Sequence, residues 1–566
     1  MKKLVLLFLF IHLISKSQTI NLNHDFIQNN LRYKQIKGDL NSDYSFTLRP
    51  LNLVVLKSEN PNINFLKTYS KTIYSNKDNS IQLDVLPIDY FIEFNSNHPY
   101  NRNNGSMIPN KGYQHIISPG FFAKIGLLTI QFKPEHHFSE NKDFEGFWTG
   151  HYPVIWQARY DLWNNIDIPE RFGDKKHNQN LIGQSSIRLN WKNISLGISN
   201  ENIWWGPSIR NSIMMSNHAQ GFKHLTFNTI NPIKTKIGNF EWQLISGKLE
   251  SSGYTPPNTD YEYAGTKLYL PKYNQNGQTD DWRYLQGITL TYSPKWIKGF
   301  SIGYIRWVQM YSSLVKGEYW WLEGNPSWFP IFSNLFRKND KYENYEALTD
   351  QAAGVFLRWL WEDSNAEVYA EFHYNDSKQN LRDLILDSDH SRAVTIGLQK
   401  IFNINNSSFI FSWEWTQMEQ NASRLIRNAG SWYSHSGVRD GYTNKGEVIG
   451  SGIGPGSNSH YFSVNKINDK SETGIAIEIV DQDNDFYHVA FSSAKDFRRY
   501  WKDINIHLNF NKKFNHFWLS TNLVYIRSLN YQWELDDTVQ PYYHSGRDTN
   551  NFHATLKLLY EFPLYK

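Results

Sequence analysis

The chain has no cysteine among its 566 residues. This absence excludes disulfide bonds, thiolate metal ligands and a cysteine nucleophile. It also excludes a lipid anchor on an N-terminal cysteine. We therefore expect any attachment to a membrane to come from the fold itself.

Long apolar runs are also missing once the first residues are passed. Residues 1–17 have the features of a secretory signal peptide: Lys2 and Lys3 carry positive charge, residues 4–14 are mostly apolar, and small residues precede Gln18. This apolar core is too short to span a membrane, and no later stretch approaches the ~20 apolar residues that a spanning helix needs. We expect an exported chain that no helix retains in an inner membrane.

A strong excess of one charge is absent too. The formal net charge is +4, and 55 basic and 54 acidic residues remain once Lys2, Lys3 and Lys16 leave with the signal peptide. A nearly neutral surface gives no electrostatic reason to expect a nucleic-acid partner. The mean hydropathy of -0.58 argues against a membrane protein made of helices. It does not argue against a barrel, because only alternate residues of each strand meet lipid.

What the sequence does contain is an alternation of apolar and polar residues. Residues 552–562 are apolar at the even positions and mostly polar at the odd ones, and residues 504–510 and 366–372 alternate in the same way. Successive side chains of a strand point to opposite faces. The sequence therefore predicts an all-β fold, a large transmembrane antiparallel β-barrel with apolar residues facing lipid and polar residues facing the lumen.

The pattern divides the chain into three parts. We predict a signal peptide at residues 1–17, a small N-terminal periplasmic segment at 18–80 that is part helix and loop-like from 61, and an outer-membrane β-barrel at 81–566. Short turns alternate with long connections in the third part, as in barrels with periplasmic turns and external loops. Strand signals number roughly 14 to 20, and the total should be even.

The long connections lie at residues 136–183, 251–281, 312–349, 419–468 and 528–551. Connections of this length are usually functional or ordered against another part of the protein. Residues 317–324 are aromatic enough to predict an inward-folded plug. The glycines between 446 and 456 lack the spacing of a phosphate-binding loop and are typical of tight turns.

Aromatic residues make up 16% of the chain, with 21 Trp, 34 Tyr and 35 Phe. One interpretation is a pair of aromatic girdles at the two membrane interfaces together with packing inside the barrel. The other is a set of stacking platforms, in loops and lumen, for a ligand with flat apolar faces such as a sugar ring.

Residues 199–225 form the most unusual segment, since they show neither alternation nor helical period. A turn is expected after Trp204 and Trp205, because Gly206 permits positive φ and Pro207 fixes φ. The polar residues that follow predict either an inward-folded loop that narrows the lumen, with buried backbone groups satisfied, or a site that contacts a ligand.

These residues carry a resemblance to a known family. The sequence resembles the Wzi capsule-assembly family of outer-membrane proteins from about residue 80 to its end. The matching motifs, in chain order, are residues 104–109, 112–114, 134–135, 140–141, 202–208, 211–212, 216–219, 281–283, 292–296, 358–359, 367–371, 441–442, 446, 449–450 and 454–455.

The resemblance implies a barrel of about eighteen strands in the bacterial outer membrane, with a small periplasmic N-terminal part. It also implies a non-enzymatic, lectin-like protein that binds or anchors capsular or surface polysaccharide at the cell surface. Its expected partners are that polysaccharide, outer-membrane lipid and other capsule-export proteins, with no cofactor. The polysaccharide-binding candidates are Trp204, Trp205, Asn211, Asn217, His218, Arg283 and Tyr442.

The residues also bear on other functions. The alternative is a channel or a scaffold for polysaccharide export, since a large barrel can enclose a pore. A glycosidase is disfavoured because Glu367 and Glu371, four strand steps apart, lie ~13 Å from each other, whereas glycosidase carboxyl pairs lie at roughly 5 to 9.5 Å. We expect both carboxylates to be lumen-facing, with Arg358 as partner. No metal site is predicted, because the adjacent His136 and His137 point to opposite faces of a strand.

Overall fold

The computed structural model describes residues 18–40, 43–63, 66, 68–272, 281–317, 329–332, 348–375, 381–492, 499–534 and 547–563. The predicted signal peptide and nearly all of the predicted plug at 317–324 lie outside the described residues. In these ranges no helix is both long and apolar enough to cross a membrane.

The described residues form 28 strands, several of them fragments of longer ones. The first fourteen are β1 (Leu48–Arg49), β2 (Lys71–Ser75), β3 (Ile81–Asn95), β4 (Gly112–Ile125), β5 (Leu128–Phe132), β6 (Glu135–Ser139), β7 (His177–Leu181), β8 (Ser186–Trp191), β9 (Ile194–Ser199), β10 (Trp204–Trp205), β11 (His224–Thr229), β12 (Ile233–Lys234), β13 (Gly238–Leu249) and β14 (Glu262–Tyr263). The others are β15 (Thr266–Lys267), β16 (Arg283–Pro294), β17 (Phe300–Tyr311), β18 (Thr349–Trp361), β19 (Ala366–Asn375), β20 (Arg392–Ile404), β21 (Ser407–Gln417), β22 (Thr443–Asn444), β23 (Glu447–Val448), β24 (Asn458–Asn468), β25 (Ser471–Asp481), β26 (Lys502–Phe514), β27 (Phe517–Leu529) and β28 (Thr549–Tyr560).

Helices are short and lie outside the sheet. They are α1 (Asp25–Ile36), α2 (Leu53–Glu59), α3 (Pro153–Trp163), α4 (Ser312–Val315), α5 (Leu381–Leu386) and α6 (Asn484–Ala490). Single 3-10 turns occupy Pro330–Phe332, Glu362–Ser364, Ala422–Leu425 and Tyr531–Trp533.

The sheet is a closed antiparallel barrel of eighteen strand positions. Four positions are shared by two fragments each, because the fragments of each pair adjoin the same neighbouring strand. The pairs are β2 with β28, β5 with β6, β7 with β8, and β11 with β12. The barrel closes where β28 pairs with β3, from Tyr560 opposite Ile88 to His553 opposite Asn95. Closure removes the two free edges of an open sheet. The prediction of a large antiparallel barrel of about eighteen strands is confirmed.

The barrel is polar inside and apolar outside. In β26, Asp503, Asn505 and His507 are at most 3% exposed, whereas the interleaved Ile506 and Leu508 are 45% and 53% exposed. Their alternation decides the orientation, because a strand places successive side chains on opposite faces. An apolar outer band is the arrangement of a barrel whose solvent is lipid.

Two kinds of connection mark the two ends of the barrel. One end has short turns, such as the two-residue turn Lys192-Asn193 that joins β8 to β9 at the predicted place. The other end has the long connections, including residues 140–176, 250–282 and 418–457. We call the long-connection end the roof.

The described residues between 18 and 69 lie against inward-facing side chains near the short-turn end. Helix α1 sends Arg32 to Glu367 of β19 at 2.7 Å, and its Asn30 side chain donates to the carbonyl of Asn468 in the β24–β25 turn at 3.3 Å. The N-terminal part therefore occupies space inside the wall. That it faces the periplasm stays a prediction.

The sheet starts earlier than the loop-like reading of residues 61–80 allowed. Strand β2 pairs with the first residues of β3, from Lys71 opposite Val85 to Ser75 opposite Gln82. This stretch continues the ladder beyond the point where β28 stops pairing at Ile88. Lys71–Ser75 lacks a clear alternation of its own, so only its partner strand identifies it.

Candidate functional site

The lumen is crossed by residues 199–225, which we call the lumen segment. It leaves the wall after β9 and returns at β11, and its residues Ile213, Met214 and Met215 are at most 1% exposed. Trp204 and Trp205 pair as a short strand with Leu48 and Arg49 of the N-terminal part. The Trp205 indole also donates to Gln243 of the wall at 2.8 Å.

A wall carboxylate fixes the turn of the lumen segment. Glu414 of β21 accepts hydrogen bonds from the backbone N–H groups of Ile209 at 2.7 Å and Asn211 at 2.6 Å, and from that of Arg210 at 3.2 Å. The hydroxyl of Tyr369 donates to the same carboxylate at 2.8 Å. Successive N–H groups aimed at one anion form a nest, which orders the backbone around the charge.

Two further wall carboxylates hold the same turn. Glu371 accepts from the N–H of Ser208 at 3.0 Å and from its hydroxyl at 2.5 Å, and it contacts the His373 ring at 3.1 Å. Glu478 receives Nη2 of Arg210 at 2.7 Å. Lumen carboxylates thus serve the lumen segment as fixed hydrogen-bond acceptors.

Roof residues 418–457 cover the lumen segment from the other side. The Tyr442 hydroxyl donates to the carbonyl of Met214 at 2.9 Å, and its ring stacks on Trp307 at 3.9 Å with the planes 1° apart. The hydroxyl of Tyr433 donates to the carbonyl of Ile213 at 2.8 Å. The roof and the lumen segment therefore pack as one unit.

Arg283 ties separate connections of the roof together. Its Nη1 donates to the carbonyl of Gly441 at 2.5 Å and its Nη2 to that of Glu250 at 3.2 Å, and the side chain is fully buried. Next to it, Asp440 accepts from the hydroxyls of Ser251 at 2.5 Å and Tyr311 at 2.8 Å. These contacts are those of a structural group that closes the barrel end.

The seven sequence-predicted residues are all enclosed. Their exposed fractions are 5% for Trp204, 0% for Trp205, 2% for Asn211, 3% for Asn217, 7% for His218 and 0% for both Arg283 and Tyr442. Trp204 and Asn217 line an internal cavity, and the other five are at most 7% exposed. A polymer outside the barrel would have to displace the roof to touch them. Their role as ligand contacts stays a prediction.

The outer part of the roof contains an aromatic cluster around a buried arginine. The Arg159 guanidinium of α3 lies 4.7 Å from the ring centre of Trp163, 5.3 Å from those of Phe147 and Phe486, and 5.6 Å from that of Trp533. Burial lowers the pKa of this arginine. The cluster joins three connections that are far apart in the sequence.

Helix α6 carries two buried carboxylates under this cluster. Asp483 caps the helix by accepting from the N–H of Phe486 at 3.0 Å, and burial raises its pKa to about 6. Asp485 accepts from the N–H of Gln420 at 2.9 Å, and burial followed by the nearby Asp483 charge raises its pKa to about 8. We therefore expect the stability of this part of the roof to depend on pH.

Exposed aromatic rings border helix α3 on the roof. Tyr152 at its N-terminus is 67% exposed, and Tyr263 of the β14–β15 hairpin, which packs on α3, is 39% exposed. Trp148 and Tyr261 are half-buried beside them, and Tyr261 stacks on Trp156 at 5.4 Å. We call Trp148, Tyr152, Tyr261 and Tyr263 the aromatic ledge.

Sequence reasoning missed the aromatic ledge and the Glu414 nest. The ledge lies in the long connections 136–183 and 251–281, but no period distinguishes its rings from the other aromatic residues of the chain. Glu414 belongs to an alternating strand, so its inward direction was readable and its partners were not. In the part of the chain that the structure describes, no group of three or more His, Asp or Glu side chains could hold a metal ion.

Comparison with known proteins finds a matching family model and a similar solved structure. The family model described as capsule assembly protein Wzi matches residues 111–485. The chain is similar to the solved structure of Wzi from Escherichia coli, with 12% identity over 97% of this chain and 100% of that one and a TM-score of 0.58. That protein is described as an outer membrane protein involved in group 1 capsule assembly and a carbohydrate-binding β-barrel.

More distant barrels also match. OccAB1 of Acinetobacter baumannii has 8% identity over 87% of this chain and 98% of its own, with a TM-score of 0.39. OprD of Pseudomonas aeruginosa has 6% identity over 87% of this chain and 96% of its own, with a TM-score of 0.37. These scores add nothing to the fold assignment. No curated protein matches the chain significantly.

Proposed function

We propose that this chain, which belongs to the Wzi capsule assembly family, is an outer-membrane barrel that holds a capsular or surface polysaccharide at the outer face of its roof. The observation that carries the proposal is a filled barrel end that exposes aromatic rings outward. The carbohydrate binding described for the Escherichia coli relative supports the choice of ligand.

The packing of the lumen favours binding on the surface over passage through the barrel. The lumen segment is anchored to Glu414 on one side, and Tyr433 and Tyr442 hold it on the other. A polysaccharide chain could pass only if these buried hydrogen bonds opened together. The alternative of an export channel is therefore less well supported than that of a surface anchor.

The aromatic ledge has the chemistry for contact with sugars. Tyr and Trp rings present flat apolar faces that pack on the C–H faces of sugar rings, while the Tyr hydroxyl can bond a sugar hydroxyl. Glu262 and Lys267 of the same hairpin are exposed and supply further polar contacts. A row of weak contacts suits a polymer, because many repeats can bind at once.

The lumen carboxylates support a role without catalysis. Glu367 is held by Arg32 at 2.7 Å and by Nε of Arg358 at 2.8 Å, and Glu371 is occupied by Ser208 and His373. Oxygens of these two carboxylates that contact buried protein groups are not free to contact a substrate. We propose binding without turnover, with outer-membrane lipid around the apolar band and other capsule-export proteins as further partners.

The test uses surface polysaccharide extracted from the cells that make this protein and labelled with a fluorophore. Each ring should contribute about 1 kcal/mol to binding. Tyr152→Ala with Tyr263→Ala should therefore weaken polysaccharide binding by detergent-extracted protein about thirtyfold. Tyr525→Ala, at an outward-facing tyrosine of β27 that is 47% exposed, is the matched control and should bind as wild type.

Folding of each variant is checked by heat-modifiable migration on a gel. Unchanged affinity in the folded double variant would show that the aromatic ledge is not the site. Failure of folded wild-type protein to bind the labelled polysaccharide would overturn the function itself.

A further inference from the structure

A cavity remains in the lumen between the N-terminal part and one side of the wall. Its volume is about 190 Å³, enough for on the order of a dozen water-sized groups, which matches the atoms of one sugar residue. It is bounded by α1, by residues 100–104, by strands β20, β21 and β24 to β28 and by the lumen segment. The wall side is rich in small polar residues: Ser412, Ser463, Asn465, Asn509, Asn511 and Thr555.

Several polar atoms around this cavity have no hydrogen-bond partner among the described residues. They are Nε of Arg49 and Arg102 and the amide oxygens of Asn103, Asn217 and Asn465. Buried polar atoms in folded proteins almost always have a hydrogen-bond partner. Five unsatisfied donors and acceptors around one cavity indicate that the cavity suits a polar ligand.

Arg49 gives the cavity an unbalanced charge. The residue is only 7% exposed. Within the described residues, no carboxylate oxygen lies within 4.0 Å of its guanidinium nitrogens. Arg210, by contrast, is paired with Glu478 at 2.7 Å. Two acids line the cavity. Asp25 pairs with Lys557 at 3.2 Å, and Glu472 accepts hydrogen bonds from Asn465 at 2.7 Å and Asn511 at 3.1 Å. Glu371 and Glu414 act on Arg49 only from a distance, and its Nη2 donates to the carbonyl of Ser208 at 2.8 Å. A buried guanidinium that no carboxylate contacts directly favours an anionic ligand.

Five Phe, Tyr and Trp rings line the cavity. Arginines cover three of them, and the other two, Phe26 and Tyr33, are at most 7% exposed. Arg49 lies 4.4 Å from the ring centre of Trp204, and Arg102 lies 5.2 Å from that of Tyr100. Arg210 covers the ring of Tyr461 in the same way, 5.1 Å from its centre. Recognition here therefore rests on hydrogen bonds and charge, in contrast to the stacking proposed for the aromatic ledge.

The cavity opens toward the short-turn end of the barrel. Along β26, the inward-facing Asn509 and Asn511 are half-buried, whereas His507 is 2% exposed and Asn505 is fully enclosed. Exposure thus falls steadily from the turn toward the roof.

Toward the roof, hydrogen bonds close the cavity. Asn103 donates to the carbonyl of Arg210 at 2.9 Å, and the N–H of Gly105 donates to the carbonyl of Asn217 at 2.8 Å. A ligand therefore enters from the short-turn side.

We propose that this cavity binds one acidic sugar residue, entered from the short-turn end, with its carboxylate against Arg49 and its hydroxyls on Asn217 and Asn465. The choice of a sugar rests on the proposed function, whereas the charge, size and entry side rest on the cavity itself. The protein would then hold a glycan at two separate places, the aromatic ledge and this inner subsite.

The absence of cysteine makes a direct test possible. In Thr555→Cys the new thiol lines the cavity, and in Asn515→Cys it lies in the exposed β26–β27 turn as the control. D-glucuronate should slow maleimide labelling of the first thiol saturably and leave the second unchanged. Equal protection by D-glucose would overturn the acidic preference, and no protection by D-glucuronate would overturn the site.

Second variants separate binding from folding. Arg49→Gln, made in the Thr555→Cys protein, should weaken protection about tenfold, the effect of losing one charge-assisted hydrogen bond. Arg527→Gln removes an arginine on β27 that pairs with Asp548 outside the cavity and should change nothing. Unaltered protection in folded Arg49→Gln would refute the assignment of the charge.

A variant that weakens binding at the inner subsite should leave binding at the aromatic ledge unchanged, and the reverse should also hold. Tyr152→Ala with Tyr263→Ala should keep protection by D-glucuronate, and Arg49→Gln should keep polysaccharide capture at the ledge. Loss of protection in the ledge variant would contradict a separate inner subsite, whatever the outcome for the polysaccharide.

Discussion

Arg32 of helix α1 and Glu367 of strand β19 form a buried ion pair at 2.7 Å, with exposed side-chain fractions of 3% and 0%. Nε of Arg358 on the neighbouring β18 reaches the same carboxylate at 2.8 Å. Glu367 therefore joins the N-terminal part to the wall of the barrel, and the predicted pairing of this lumen carboxylate with Arg358 is confirmed.

Removing the charge of Glu367 should loosen the N-terminal part. Glu367→Gln leaves two buried guanidinium groups without a counter-ion, and breaking such a pair costs about 3 to 5 kcal/mol. We expect a lower temperature for loss of heat-modifiable migration. Glu362→Gln, at a half-buried carboxylate of the next turn whose partner Lys298 is exposed, serves as the comparison and should melt as wild type.

Conductance measurements test whether the N-terminal part fills the barrel. Wild-type protein in planar bilayers should be silent, because α1 and the lumen segment fill the barrel. Deleting residues 18–69 should produce current events, since it removes the filling at the short-turn end. A steady open current from intact wild-type protein would contradict the surface-anchor function and favour the channel.

The tryptophan that joins the lumen segment to the wall should matter for stability. Trp205 is fully buried and donates to Gln243, so Trp205→Ala should destabilise the barrel by about 3 to 5 kcal/mol. Trp296→Ala, in an exposed turn at 68% exposure, is the control. If the melting temperature of Trp205→Ala equals that of the control, the lumen segment does not stabilise the closed end.

The roof should lose stability as the pH rises. The pKa of Asp485 is about 8 in the folded protein, well above that of an exposed aspartate, so the folded state keeps a proton that the unfolded state releases. Its contribution is present at low pH and is lost between about pH 4 and pH 8. Asp485→Asn should flatten the dependence of the melting temperature on pH across this range. A curve parallel to that of Asp389→Asn, at an exposed aspartate, would contradict the buried carboxyl.

The outward face of the barrel should reject charge at mid-depth. Ile506 is 45% exposed on the apolar face beside Ile477, and an arginine there should cost about 2 to 4 kcal/mol in a bilayer. Phe514, 43% exposed at the end of the same strand, lies near the interface, where Phe514→Arg should cost about 0 to 1 kcal/mol. Equal losses for the two variants in refolding into lipid vesicles would argue against an embedded band.

Prediction from the sequence succeeded where a local pattern carried the information. The alternation at 504–510 identified a strand and its polar face, and Lys192-Asn193 identified a hairpin. It failed at Lys71–Ser75, where only the pairing with β3 defines a strand, and it gave no contact for Glu414, whose partners are some two hundred residues away in the chain. Long-range pairs of single residues leave no period in a sequence.

The sequence by itself determined the class of this protein. Its period-two alternation can satisfy every backbone group in lipid only as a closed barrel, because an open sheet would leave unpaired edges there. Only the tertiary structure decided how that barrel is filled. The enclosure of Trp205, Arg283 and Tyr442, the exposure of the aromatic ledge and the cavity beside Arg49 depend on which distant segments meet in the lumen, and the residue types alone do not specify that.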